Sequence, residues 1–346
     1  MTESTPEPGI ASRRPGSGRL LIVVAGTGLA GALAWWGRGW LTAAVGTVGQ
    51  ASPVWLLLAV AAKAVSMTGL AGGQRRIIAR GSAHRLGLRS VLATAYAGNT
   101  ISTALPLAGA GMSAAFTYRR YVTSGVPSAQ AATGLAVSWA VASATLTAVL
   151  SAAAVGTGRL GLLFTGLLGG LASVAVVTGL LLALQSVRGR SWAAAVATPV
   201  LGVVQRVTHR FTHRAAGDPA QLVWAALVEL TATRLRPRDI ALGAGAALLL
   251  WGGDIACIGF ALAAVGGSLS PPLLILAWSA GVAATTFSVT PGGLGLVEAA
   301  LGAALIAAGI PATTALAAVL LYRLVSFWLV AAIGALVLAA DRHRPA

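Results

Sequence analysis

Four ionisable side chains stand inside otherwise apolar stretches of this chain: Lys63, Asp254, Glu298 and Arg323. A charge near the centre of a bilayer costs roughly 3 kcal/mol or more, so each of them must meet a counter-charge or line a polar cavity. Two cations and two anions permit two neutral pairs. Such pairs either lock helices together or build a polar site for an ion or a lipid headgroup. Lys63 and Asp254 occupy the spans that precede two similar hairpins, whereas Glu298 follows Pro291 by seven residues and Arg323 follows Pro311 by twelve.

The run SVTPGGLGLVEAA around Glu298 has its own chemistry. Pro291 ends a helix by removing a donor, and Gly292, Gly293 and Gly295 allow a tight turn with exposed amides at the start of the next helix. That N-terminus suits an anion such as a lipid phosphate. Glu298, in the first turn, is also placed to satisfy those amides itself.

The same pattern occurs twice. The segments Pro106–Pro127 and Pro291–Pro311 align with a single gap at Leu107, matching Pro106 with Pro291, Gly109 with Gly293, Gly111 with Gly295, Ala115 with Ala299, Gly125 with Gly309 and Pro127 with Pro311. Alanine and glycine matches are cheap in this composition, but two prolines in register are not. Gly/Pro-interrupted apolar segments at corresponding positions of two halves point to a transporter-type binding site. At the position of Glu298 the first copy carries Ala114, so its turn lacks the internal anion, and Arg119 and Arg120 supply positive charge at its exit instead. Those two arginines also fit ordinary positive charge at a cytoplasmic membrane face.

The elements that must position these residues are membrane helices. With 57% hydrophobic residues, 9% charged residues and a mean hydropathy of +0.83, the chain lacks the polar surface of a soluble domain. The expected fold class is all-α: a polytopic helical membrane protein with about six full spans and two hairpin pairs in inverted repeats. The spans are expected at 20–37, 53–71, 128–155, 160–187, 240–264 and 312–339, and the hairpins at 90–118 and 273–308. The lone Cys257 excludes an intramolecular disulfide.

Charge sets the orientation. Of the 24 Lys and Arg residues, 20 fall in the tails and in the segments 75–89, 119–120 and 188–238, all on one side of the expected spans. That side is assigned to the cytoplasm, with both termini there and the protein in the plasma membrane. The first hairpin then opens to the cytoplasm and the second to the outside, which makes the repeats inverted. The chain divides into a disordered tail 1–19, a first membrane half 20–187, a cytoplasmic segment 188–239, a second half 240–340 and a tail 341–346. Within 188–239, Val196, Val200, Val203, Val204, Val207 and Phe211 recur at helical spacing opposite Arg206, His209, Arg210, His213 and Arg214, the pattern of a helix lying on the membrane surface.

The net charge of +16 is spread in short blocks between apolar runs, which fits lipid headgroups and not nucleic acid. No Ser/His/Asp set, P-loop or Cys/His metal spacing appears. Neither an enzymatic activity nor a metal or other cofactor is expected.

The run PGGLGLVEAALGAALIAAGIPATTALAAVLLYRLVSFW resembles the C-terminal signature of the flippase-like family typified by the transmembrane region of lysylphosphatidylglycerol synthases. NTISTALPLAGAGMSAAFTYRRYVTSGVP is similar to that family's first motif, in which an Asn, here Asn99, precedes a Pro-containing turn and an Arg-bearing helix. The acidic residue common after the glycine in that motif is absent, replaced by Met112, Ser113 and Ala114. The resemblance implies translocation of an anionic phospholipid or polyprenyl-phosphate lipid between leaflets. The site it suggests comprises Asn99, Pro106, Gly109, Gly111, Arg119, Arg120, Pro291, Gly292, Gly293, Gly295, Glu298 and Arg323. The chain ends a few residues past its last expected span, so no appended aminoacyl-transfer domain is expected. A non-transporting partner of a glycosyl- or aminoacyl-transferase and a secondary transporter for a small anion are the alternatives that the residues leave open, with a second copy of the chain or a transferase as candidate partners.

Overall fold

The computed structural model describes residues 49–78, 86–105, 109–157, 237–286, 288 and 290–342, with scattered positions from 188 to 221. The spans expected at 20–37 and 160–187, and most of the amphipathic segment, lie outside the described residues. The described part is helical: α1 Pro53–Ile78, α2 Leu88–Ala104, α3 Gly109–Thr123, α4 Ser128–Gly156, α5 Pro237–Ala264, α6 Pro271–Thr286, a short turn Pro291–Gly293, α7 Leu296–Ala307, α8 Ala312–Arg323, a π-helical segment Leu324–Leu329 and α9 Val330–Arg342.

Four of these stretches are long and apolar enough to cross a membrane: α1, α4, α5 and the continuous run Ala312–Asp341. Their 26 to 30 residues reach about 40 Å at ~1.5 Å per residue, beyond a hydrocarbon core of about 30 Å. Pro53, Pro237 and Pro271 each open a helix, where the missing N–H would have had no intrahelical partner. Leu57 and Leu336 are each 71% exposed, an outward apolar surface suited to lipid. The first helix runs past the expected residue 71 to Ile78, because a polar last turn continues the backbone ladder: Gln74 is buried and its Oε1 accepts a hydrogen bond from Tyr121 Oη at 2.8 Å.

The centre of the molecule is the pairing of α1 with α5. Lipid is as apolar as leucine, so helices associate through close packing at small residues and not through expulsion of water. A Cβ on Gly69 would lie 2.5 Å from Leu250 N and 2.6 Å from Ala246 O, and one on Gly253 would lie 2.7 Å from both Ala62 O and Ser66 N. The helices therefore run antiparallel, and the contact is reciprocal. Residues 246, 250 and 253 each follow 62, 66 and 69 by 184 positions, as 253 follows 69. The same spacing relates Gly109 to Gly293, Gly125 to Gly309 and Pro127 to Pro311.

The two hairpins are seated at opposite ends of this pair. Near the α1 C-terminus, Gln130 Nε2 donates to Ile78 O at 2.8 Å, Tyr121 reaches Gln74, and Arg75 Nε donates to Leu86 O at 2.8 Å, so α2 starts and α3 ends there. At the other end Ser52 N donates to Ala264 O at 2.9 Å, and Leu262 packs in one cluster with Leu305 and Ile310, so α7 ends there. Helix α2 packs along α9, where Gly334 abuts the carbonyl of Tyr96 and Thr100 Oγ1 donates to Ala331 O at 3.3 Å. Helix α6 packs along α4, where a Cβ on Gly156 would meet Pro272 at 2.8 Å.

The C-terminal ends of the two aligned segments share one geometry. Helix α3 closes with Gly125 at φ +89° and Val126 N donating to Tyr121 O at 3.1 Å; α7 closes with Gly309 at φ +97° and Ile310 N donating to Leu305 O at 3.1 Å. Glycine occupies the left-handed position because it has no Cβ to clash there. Pro127 and Pro311 follow, with φ of −53° and −55°, and each carbonyl accepts the first bond of the next helix at 2.9 Å.

Candidate functional site

The structure brings the four intramembrane charges together as two pairs. In the first, Arg323 Nε donates to Glu298 Oε1 at 2.6 Å, with the two side chains 10% and 22% exposed. Arg323 Nη2 also donates to Gly292 O at 2.6 Å, and its guanidinium lies 4.5 Å from the centre of the Phe327 ring. The other oxygen of Glu298, Oε2, accepts the backbone N–H of Gly295 at 2.7 Å. One carboxylate thus bridges a buried guanidinium and the backbone amide of Gly295, the residue that caps α7.

The backbone that allows this is left-handed at three glycines: Gly292 at φ +62°, Gly293 at +70° and Gly295 at +89°. The Gly292 conformation turns its carbonyl to Arg323, and a Cβ there would collide with the Phe327 ring. Ser288 and Thr290 steady the approach to the turn: their hydroxyls lie 3.1 Å apart, and Thr290 Oγ1 donates to Leu294 O at 2.9 Å. The Pro291–Gly293 turn packs against α2, the leading leg of the other hairpin.

The second pair centres on Asp254 of α5. Lys63 Nζ of α1 lies 2.7 Å from Oδ1, while Oδ2 accepts Trp278 Nε1 of α6 at 3.0 Å and Tyr322 Oη of α8 at 2.9 Å. One carboxylate therefore ties four helices. The π-helical segment begins two residues after Tyr322, and such segments within α-helices are frequent at functional sites.

The remaining site candidates fall differently. Arg120 forms a two-pronged pair with Asp341 at the end of α9, Nη1 to Oδ2 and Nη2 to Oδ1, the latter at 3.2 Å. Arg119 is exposed, and Asn99 on α2 is partly buried, its carbonyl accepting Thr103 Oγ1 at 3.0 Å. Pro106 lies outside the described residues. Gly109 and Gly111 differ from their expected counterparts: they form the first turn of α3 without a positive φ, and Gly109 is required because a Cβ would strike the Ser102 carbonyl of the neighbouring leg. Sequence reasoning did not single out Trp278, Tyr322, Gln74 or Asp341. An indole or phenol in an apolar span carries a donor that must be satisfied, and that is the signal that would have found the first two.

This architecture, with buried ion pairs among lipid-facing helices, defines a multi-pass helical membrane protein. The family model for the lysylphosphatidylglycerol synthase TM region matches residues 20–334, and the chain belongs to that family. A 94-residue stretch is 32% identical to a UPF0104 membrane protein of Pyrococcus horikoshii, covering 27% of this chain and 28% of that relative.

Proposed function

We propose that the chain moves a lipid with an anionic headgroup, a phospholipid or a polyprenyl phosphate, between the leaflets of the plasma membrane, and that it does so without chemistry. The observation that carries this reading is the Arg323–Glu298 node at the Pro291–Gly293 turn: an anion-binding pair of donors within the membrane, beside the leading leg of the opposite hairpin.

An inverted repeat supplies the means. The antiparallel Gly69–Gly253 crossing and the repeat motifs share one spacing of 184 residues, as 253 follows 69, and the hairpins sit at opposite ends of the α1–α5 pair. Both features support a pseudo-two-fold axis in the membrane plane, about which one half can rock against the other to change exposure. The contacts also support a cytoplasmic end that gathers Arg75, Arg76, Arg120 and Arg238.

The test is leaflet transfer of fluorescent phosphatidylglycerol and of a polyprenyl-phosphate analogue in proteoliposomes holding the full chain. Transfer above protein-free vesicles, lost in Arg323→Gln of equal thermal stability, is the expected result. A correctly folded chain that transfers neither lipid overturns the reading and favours the transferase-partner alternative.

A further inference from the structure

Glu298 closes a capping box with Gly295 and at the same time holds the Arg323 guanidinium. Its two oxygens are divided between Arg323 Nε at 2.6 Å and Gly295 N–H at 2.7 Å, a guanidinium and a helix-terminal amide. Those are the two donor types that recognise phosphate oxygens. The amide is that of Gly295, the residue that caps the 12-residue helix α7, and the guanidinium comes from an independent element, on a residue only 8% exposed.

Three further observations separate the seat from its present occupant. Arg323 has supports that do not involve Glu298, namely the Gly292 carbonyl at 2.6 Å and the Phe327 ring at 4.5 Å, so it stays aimed when the carboxylate leaves. The Gly295 side is open: that residue is exposed, nothing lies within 4 Å of where its Cβ would be, and Leu294 and Leu296 beside it are 38% and 44% exposed. Glu298 itself is half-way between, its side chain 22% exposed in the first turn of α7.

We infer that Glu298 is a tethered competitor for the phosphate-bearing ligand of this site: it holds Arg323 and the Gly295 amide while the site is empty, and is displaced when a phosphate group binds. The inference rests on the proposed lipid-binding reading and adds its regulation. A tethered anion keeps the buried cation neutralised between cycles and lowers apparent affinity by the fraction of time it holds the seat, which aids release.

Binding is measured by calorimetry on the full chain in maltoside micelles, with inorganic phosphate and dihexanoyl phosphatidic acid as probes. Glu298→Gln keeps the shape and removes the charge, and is expected to bind the probe at least about tenfold more tightly than the unmodified chain, as removal of a competitor present roughly nine-tenths of the time requires. Glu298→Asp, too short to span both donors, is expected to gain affinity as well and carries the comparison if the Gln variant does not fold. Arg323→Gln is expected to bind neither probe. A gain with both probes identifies the phosphate group as the ligand, and a gain with the lipid alone identifies a headgroup attached to its chains. Equal or weaker binding by both Glu298 variants, or no binding by any chain, overturns the inference. Leaflet transfer in proteoliposomes is scored separately: an affinity gain without transfer in any chain refutes translocation and leaves the competitor standing, whereas transfer without a gain refutes the competitor alone.

Discussion

Tyr322 and Arg323 are neighbours in sequence, yet they serve different ion pairs: the phenol donates to Asp254 at 2.9 Å and the guanidinium to Glu298 at 2.6 Å. The two charged centres are thus joined through a single peptide bond. Rotation of α8 that breaks one contact strains the other. Tyr322→Phe removes one of three donors to the Asp254 carboxylate and is expected to cost about 1.5–3 kcal/mol, the range for hydrogen bonds to charged groups. Thermal unfolding in detergent checks the cost. A melting temperature unchanged within error refutes a stabilising role for that hydrogen bond.

Lys63 and Asp254 form the more enclosed centre, with side chains 13% and 14% exposed. Removing one partner leaves an uncompensated charge, whereas removing both restores neutrality. Lys63→Met is expected to destabilise by about 3–5 kcal/mol, and Lys63→Met with Asp254→Leu is expected to recover most of that. A double variant as unstable as the single one contradicts a packing role for the pair.

The glycines that align in sequence are expected to respond differently to alanine. Gly111 is helical with open space at its Cβ position, so Gly111→Ala is expected to be neutral or to stabilise by up to about 1 kcal/mol. Gly295 has equal space but a φ of +89°, so Gly295→Ala is expected to destabilise by about 1 kcal/mol or more. Gly109→Ala meets the Ser102 carbonyl and is expected to lose stability by a steric route. Equal melting temperatures for Gly111→Ala and Gly295→Ala would argue against this backbone assignment.

The orientation is checked by an impermeant thiol reagent applied to intact cells after Cys257 is replaced by Ser. Cysteines introduced at Ser17, Thr212 and His343 are expected to be protected, and one at Ser268 to react. Labelling of the Thr212 site from outside would reverse the assignment of the basic face.

The parts of this molecule that could be read in advance are those where one residue type answers one physical demand. Gly125 with Pro127 and Gly309 with Pro311 mark helix ends, because a left-handed residue followed by a residue that cannot continue the ladder leaves few other solutions. Lys63, Asp254, Glu298 and Arg323 stand out because charge in an apolar span demands a partner. The demands on Gly109 and Gly111 were ambiguous: a glycine serves equally for positive φ or for close approach, and only the neighbouring Ser102 carbonyl decides between them. Trp278 and Tyr322 add to apolar character until a carboxylate faces them, and Asp341 lies too near the tail to look like the partner of a residue in the first hairpin.

The reciprocal contact of Gly69 and Gly253 has the form of an isologous dimer interface, in which the same contact is made from each side. In a true homodimer every side chain near such an axis appears twice, so an ion pair there comes in duplicate. Here the positions matching Lys63 and Asp254 at the same spacing are Ala247 and Leu70, as 247 follows 63 and 254 follows 70. The crossing therefore carries one ion pair instead of two, which halves the charge it must shelter from lipid.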